Sequence, residues 1–287
     1  MRERWLVVWN CQAFGFANCI QTLARDVECE ALDFWAFARA LEAGSHDWRS
    51  WDRIILLSDA CELPRFDPAQ MPEFEILPPL YFRGYHPDCC YVRVGDAFIS
   101  DGVVGPYHSR IALAAYKEGL DATQAARWYN ADTYAHAGYF ARWPAERQAI
   151  LDGYRECGLD ASRLFRVAGR GRSFMLTIDH PRIEALFELA RALLVARGRA
   201  VFADVILPPD NLAATSWPVY PEIGEELGVS GSYLFKPANE HKPLELVDYL
   251  ERSLAFFSRW ERHELRVFHN VQPRLQDIRR LMRGEVQ

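Results

Sequence analysis

The sequence predicts an α/β fold: a parallel sheet with flanking helices, plus a large helical insertion or cap. Three observations carry that prediction. Apolar runs of strand length alternate with helix-period segments through the first third of the chain, which favours parallel strands joined by helical crossovers. Beyond Ser109 helical patterns dominate. Half of the 287 residues are hydrophobic and a quarter charged, enough to build a sizeable core under a soluble surface.

The elements follow in order. An apolar run over 4–9 meets Asn10-Cys11-Gln12, after which Phe14, Phe16, Ala17, Ile20, Leu23 and Ala24 recur at helical spacing. The opening therefore reads strand, tight turn, helix. Another strand–helix stretch falls between 20 and 50. Residues 53–57 make a buried strand ending at Ser58-Asp59, and 74–77 and 89–94 are further short strands. A helix over 109–118 is stopped by Gly119, and Asp121 with Gln124 opens the next with a capping-box pattern. A helix over 143–157 carries Pro144 in its first turn. Residues 174–178 read as a strand leading into Asp179-His180-Pro181, followed by an amphipathic helix over 182–197. Pro208-Pro209-Asp210-Asn211 is a loop, and 244–262 and 272–283 are helical. The simplest organisation is a single domain over 1–287 with a helical insertion at about 109–165 and a helical tail at about 243–287. Two domains divided near residue 105 is the alternative.

Thirty-three basic side chains face 39 acidic ones, a formal charge of -6, so a broad nucleic-acid surface is not favoured. A local basic pocket for a phosphorylated ligand is compatible with that balance. No stretch has the length of a membrane span, and the start lacks a signal-peptide pattern. Seven cysteines without an export signal read as reduced thiols in the cytoplasm. Neither C-x-x-C nor H-E-x-x-H occurs, which leaves a zinc site without local support.

The chemistry concentrates at Asn10-Cys11-Gln12. Ligands of open parallel sheets bind at the carboxyl ends of strands, and a thiol at a helix start loses its proton more easily. Asn10 and Gln12 add amides that suit an oxyanion. The competing reading makes Cys11 a small buried residue at a strand end. A thiol nucleophile needs a base. His180 precedes a helix, His86 lies in a polar turn with Asp88, and His108 stands at a helix start beside Ser109. Each reads equally as a hydrogen-bonded loop histidine, and Asp88 or Asp179 equally as a turn or cap residue. His46, His241, His263 and His269 read as surface. Gly169-Arg170-Gly171-Arg172-Ser173 is a basic glycine turn suited to phosphate, or a solvated loop. Lys236 is a further lone cation.

The strand with Asn10-Cys11-Gln12, the segment Arg83-Gly84-Tyr85-His86-Pro87-Asp88, His108-Ser109, and Thr177-Ile178-Asp179-His180-Pro181 together resemble the WcbI-type family of capsular-polysaccharide biosynthesis acetyltransferases, over roughly residues 5–240. The family usually carries glycine where Trp9 stands. The resemblance implies coenzyme A binding and a remote likeness to SGNH hydrolases, with Cys11 in the place of their serine and His180 in that of their histidine. Thr177 stands where that group has an aspartate, so His86 with Asp88 is the alternative base. It further implies transfer of an acetyl group from acetyl-coenzyme A to a sugar hydroxyl of a polysaccharide precursor. The cofactor would be held by Asn10, Gln12, Arg83, Gly84, His108, Ser109, Arg170, Arg172 and Lys236. A thiol-dependent (thio)esterase and a non-catalytic sugar- or cofactor-binding component are the competing functions. Neither the sugar nor the oligomeric state is legible.

Overall fold

The computed structural model describes residues 2–44, 46–167, 171–268 and 272–285. In chain order the elements are β1 (Glu3–Trp9), α1 (Ala13–Leu23), β2 (Val27–Asp33), α2 (Phe34–Ala43), β3 (Arg53–Leu56), β4 (Glu73–Ile76), β5 (Cys89–Cys90), β6 (Val92–Val94), β7 (Ala97–Phe98) and β8 (His108–Ser109). Then come α3 (Arg110–Glu118), α4 (Ala122–Ala126), α5 (Ala131–His136), α6 (Arg142–Glu156), α7 (Leu164–Val167), α8 (Ile183–Ala196), α9 (Pro221–Leu227), α10 (Leu246–Phe257), β9 (Leu265–Val267) and α11 (Gln272–Met282).

The chain forms two compact, interleaved units. The first comprises Met1–Tyr81, Gln148–Ala168 and Asp179–Ala213, the second Phe82–Arg147, Gly169–Ile178 and Ala214–Gln287. Neither boundary set falls at residue 105. The helices α3 to α5 belong to the second unit, whereas 148–168 belong to the first.

The first unit is built on a four-stranded sheet in the order β2-β1-β3-β4, parallel throughout. Central strand β1 is wholly buried from Trp5 to Trp9, as expected of a strand covered on both faces. The chain runs outward from β1 to β2, then returns across it to β3. Strand order therefore reverses at β1 and β3, and the crevice outside their carboxyl ends is where this topology binds ligands. Helix α1 buries Phe16, Ala17, Ile20 and Leu23 and packs on β2 and α8. Trp9 is accommodated by stacking on Phe16, with centroids 4.3 Å apart.

The second unit holds two small antiparallel sheets, β5-β8 and β7-β6-β9, with α3 packed against α10 and α11. Local chemistry sets its helix ends. Ser109 caps α3 through Ala112 N–H, and Gly119 ends it at φ +76°, where a side chain is strained. Asp121 and Gln124 form the expected capping box. One expected strand is absent. Residues 174–178 are a buried run of bends with a single bridge residue at Met175, engaged through Phe82 N–H to Ile178 O and Trp217 N–H to Leu176 O. Those backbone groups are spent on loops, so no ladder forms.

Candidate functional site

At the carboxyl end of β1 the chain turns sharply. Gln12 N–H donates to Asn10 Oδ1 (3.1 Å), and Ala13 N–H to Asn10 O (3.0 Å). This Asx-type turn lets α1 begin immediately after the strand. It leaves Cys11 at the tip, and among the seven cysteines, all of them free, Cys11 alone is exposed. The reading of Cys11 as a buried strand-end residue is thereby excluded.

Gln12 is fully buried, at 0 % exposure. Its Nε2 donates to Leu80 O (2.7 Å) and Asp179 O (2.9 Å), and its Oε1 accepts from Leu80 N–H (2.9 Å). The amide is consumed in joining three segments of the first unit, which corrects its assignment as a ligand donor. What it contributes is placement: Asp179, and with it His180, is pinned to the turn that carries Cys11. His180 thus follows a segment tied to the Cys11 turn, without the strand that the sequence suggested.

The electrostatics are those of a neutral pair. Partial desolvation, reinforced by the Asp179 carboxylate, pushes the Cys11 thiol up to about 12. The residue is exposed, yet surrounding protein strips enough water from the sulfur to disfavour the thiolate. Burial holds His180 below the usual histidine range, opposed by the charges of Asp179 and Asp210. A thiol activated by the helix dipole is therefore not what the fold provides. A protonated thiol and a neutral imidazole are the resting forms of the two side chains.

Asp210 is a functional residue that sequence reasoning missed. Its Oδ2 accepts from Ile183 N–H (3.2 Å) at the start of α8 and its Oδ1 from Leu212 N–H (3.1 Å). It thereby fixes the helix that follows His180. Beside it, the Asn211 amide packs so close to Gly15 of α1 that a Cβ there would lie 2.6 Å from Asn211 Oδ1. The only trace in the sequence was the Pro-Pro-Asp-Asn loop signal.

The remaining candidates lie in the second unit, and several are structural. His86 is buried, its Nδ1 3.2 Å from Pro218 O and its Nε2 3.4 Å from Met175 O. Asp88, at 0 % exposure, accepts from Ile111 N–H (3.0 Å), Tyr139 Oη (2.8 Å) and Tyr220 Oη (2.7 Å). It organises a buried phenol cluster that engages both its oxygens, while both ring nitrogens of His86 face backbone carbonyls, so the expected His86–Asp88 base is corrected to two buried structural residues. His108 is buried against Phe256 and Phe257, its Nε2 without a hydrogen-bond partner among the described residues. Ser109 caps α3 and shares a 2.6 Å hydrogen bond with Tyr129 Oη. Gly84 is needed for packing, since a Cβ would meet Phe82 at 2.4 Å and Trp143 at 2.8 Å. Lys236 Nζ donates to Ala214 O and Pro237 O, which turns it toward backbone. Arg172 is exposed beside Gly171, Arg83 is half-buried, and Arg170 lies outside the described residues. No cluster with metal-ligand geometry occurs among the described residues, and none of their helices is long and apolar enough to cross a membrane.

Comparisons with known proteins agree with the resemblance read from the sequence. The family model for the polysaccharide biosynthesis enzyme WcbI matches residues 66–200. No curated protein matches. The fold is that of a solved structure of WcbI, described as a novel polysaccharide biosynthesis enzyme, at a TM-score of 0.69 and 16 % identity. The likeness covers 99 % of this chain and 98 % of the other. That structure is described as the native protein without a disulfide bond between coenzyme A and a cysteine. The family match begins after β3, so Cys11 enters the comparison through the fold.

Proposed function

We propose that this chain, matched to the WcbI polysaccharide biosynthesis enzymes, binds coenzyme A and transfers an acyl group from it to a sugar hydroxyl through Cys11. The observation that carries the reading is the exposed Cys11 thiol at the strand-order reversal of a parallel sheet, tied by Gln12 to the residue before His180. The description of the similar structure couples coenzyme A to a cysteine, and Cys11 is the exposed thiol here.

The residues act as follows. His180 takes the Cys11 proton as Sγ attacks the thioester carbonyl, and gives it to the departing thiolate. The acyl group is then carried on Cys11 as a thioester. His180 next takes the proton of the acceptor hydroxyl as its oxygen attacks that thioester, and returns it to Cys11 Sγ. Neutral imidazole is the form this cycle needs at each start, and burial supplies it. Asn10, whose Oδ1 is held by Gln12 N–H, serves through its amide nitrogen as the oxyanion donor. Asp210 positions His180 through α8.

The test is intact-mass analysis after incubation with acetyl-coenzyme A. One acetyl group should appear on the wild type, map to Cys11, and disappear when a hydroxylated acceptor is added. Cys11→Ser should lose both labelling and most turnover. Unimpaired transfer by that variant would remove the thiol from the mechanism.

A further inference from the structure

The second unit concentrates four guanidinium groups. Arg83 and Arg142 are brought together by Glu146, which accepts from Arg83 N–H (3.3 Å) and pairs with Arg142 Nε (3.0 Å). The same segments are locked by Phe82 against Trp143, with ring centroids 6.1 Å apart, and by the missing side chain at Gly84. Arg110 opens α3 and Arg274 lies in the first turn of α11, two helices packed on each other. Arg110, Arg83 and Arg274 each act on the charge of Arg142, and Arg110 and Arg83 on that of Arg274.

The arrangement is only partly compensated: Arg110 donates to Pro87 O and is held above the usual arginine range by Cys90, Tyr139 and Asp88 against the cost of burial. Arg110 is 1 % exposed, and its Nε has no hydrogen-bond partner among the described residues. Arg274 Nη1 is also buried without one. Burial, and then mutual repulsion, hold Arg274 below the usual arginine range, and burial does the same to Arg142 despite Glu146. The carboxylates of Glu146 and Asp88 act on the group, and both oxygens of Asp88 are already engaged by Tyr139, Tyr220 and Ile111 N–H. Buried N–H groups normally find an acceptor, and guanidinium forks match phosphate oxygens in geometry and charge.

We propose that Arg83, Arg110, Arg142 and Arg274 form an anion site that seats a doubly charged phosphate or diphosphate group of a ligand. Two sources share that chemistry: the phosphates of coenzyme A, an assignment that rests on the proposed function, and the diphosphate of a nucleotide-linked sugar, which does not. Among the four, Arg83 alone was suspected from sequence.

The experiment is calorimetric titration of the full-length protein with sodium pyrophosphate. Wild type should bind, while Arg142→Gln and Arg274→Gln should each weaken binding about tenfold, the scale of a charge-assisted contact. Both sites are part-exposed, so these variants spare the buried Arg110. Arg259→Gln, an exposed arginine of the same unit, should bind as wild type. Cys11→Ser should also bind as wild type, so failure of the thiol chemistry leaves this result standing. Competition identifies the source: displacement of coenzyme A by pyrophosphate assigns the site to the cofactor, and displacement of uridine diphosphate alone assigns it to a sugar nucleotide. No heat at millimolar pyrophosphate, undiminished binding in both Gln variants, or an equal loss in Arg259→Gln would overturn the proposal.

Discussion

Gln12 offers the sharpest test of how the site is assembled, because its side chain matters through hydrogen bonds alone. Gln12→Met keeps the length and apolar contacts of the side chain while deleting bonds to Leu80 O, Asp179 O and Leu80 N–H. Three net bonds at about 1 kcal/mol each set a floor of roughly 3 kcal/mol. Stranding the buried Leu80 groups raises the cost, since an unsatisfied buried donor or acceptor costs about 1–3 kcal/mol. At about 2–4 °C per kcal/mol for a large domain, the melting temperature should fall by roughly 6–12 °C or more. Thermal unfolding by circular dichroism reads this directly. Alkylation of Cys11 in the still-folded variant reports on the loosened Asp179-His180 segment. A melting temperature within about 2 °C of wild type would refute the claim that this amide pins the two sides of the site, because that shift corresponds to less than a single net bond.

Two further outcomes follow from burial. With the Cys11 thiol pushed up to about 12, its alkylation by iodoacetamide, followed on the isolated peptide by mass spectrometry, should rise about tenfold per pH unit from pH 7 to 10; a plateau below pH 9 would contradict the neutral thiol. Burial lowers His108 to about 4, so it folds uncharged and its contribution is complete above its unfolded value near 6.5 and lost as pH falls from there toward 4. That window is worth about 3 kcal/mol, and His108→Phe, at a ring that stacks on Phe256 and packs tilted against Phe257, should abolish it; an unchanged loss of stability between pH 6.5 and 4 in that variant would place the acid sensitivity elsewhere.

The legible parts of the molecule were those dictated by short-range chemistry. The cap at Asp121, the stop at Gly119, and the strand–turn–helix at Asn10-Cys11-Gln12 need only neighbours in sequence, and the structure has them where the residues put them. Three things were not legible, each for a long-range reason. Residues 174–178 have strand-like composition, yet their backbone partners are Phe82 and Trp217, far away in the chain. His86 and His108 occupy polar-looking turns that tertiary packing buries. The arginine cluster draws its members from four separate segments, and no spacing rule connects Arg83 with Arg274.

The thiol's electrostatics show why position and reactivity had to be separated. Placement at a helix start argued for an easily ionised cysteine, since the dipole is worth about 0.3–1 kcal/mol near a helix terminus. One pKa unit corresponds to about 1.4 kcal/mol, so that contribution moves a thiol by less than a unit. Desolvation together with Asp179 moves Cys11 the other way, up to about 12, and the larger effect wins. A resting thiolate would be exposed to oxidation and alkylation, whereas in the proposed reaction a protonated Cys11 becomes nucleophilic only when His180 accepts its proton during attack. His180, kept neutral by its own burial, is the group that makes such coupled transfer available at neutral pH. Asp179 then has two effects of opposite use: its charge opposes ionisation of the thiol at rest and favours the imidazolium that forms as the proton moves.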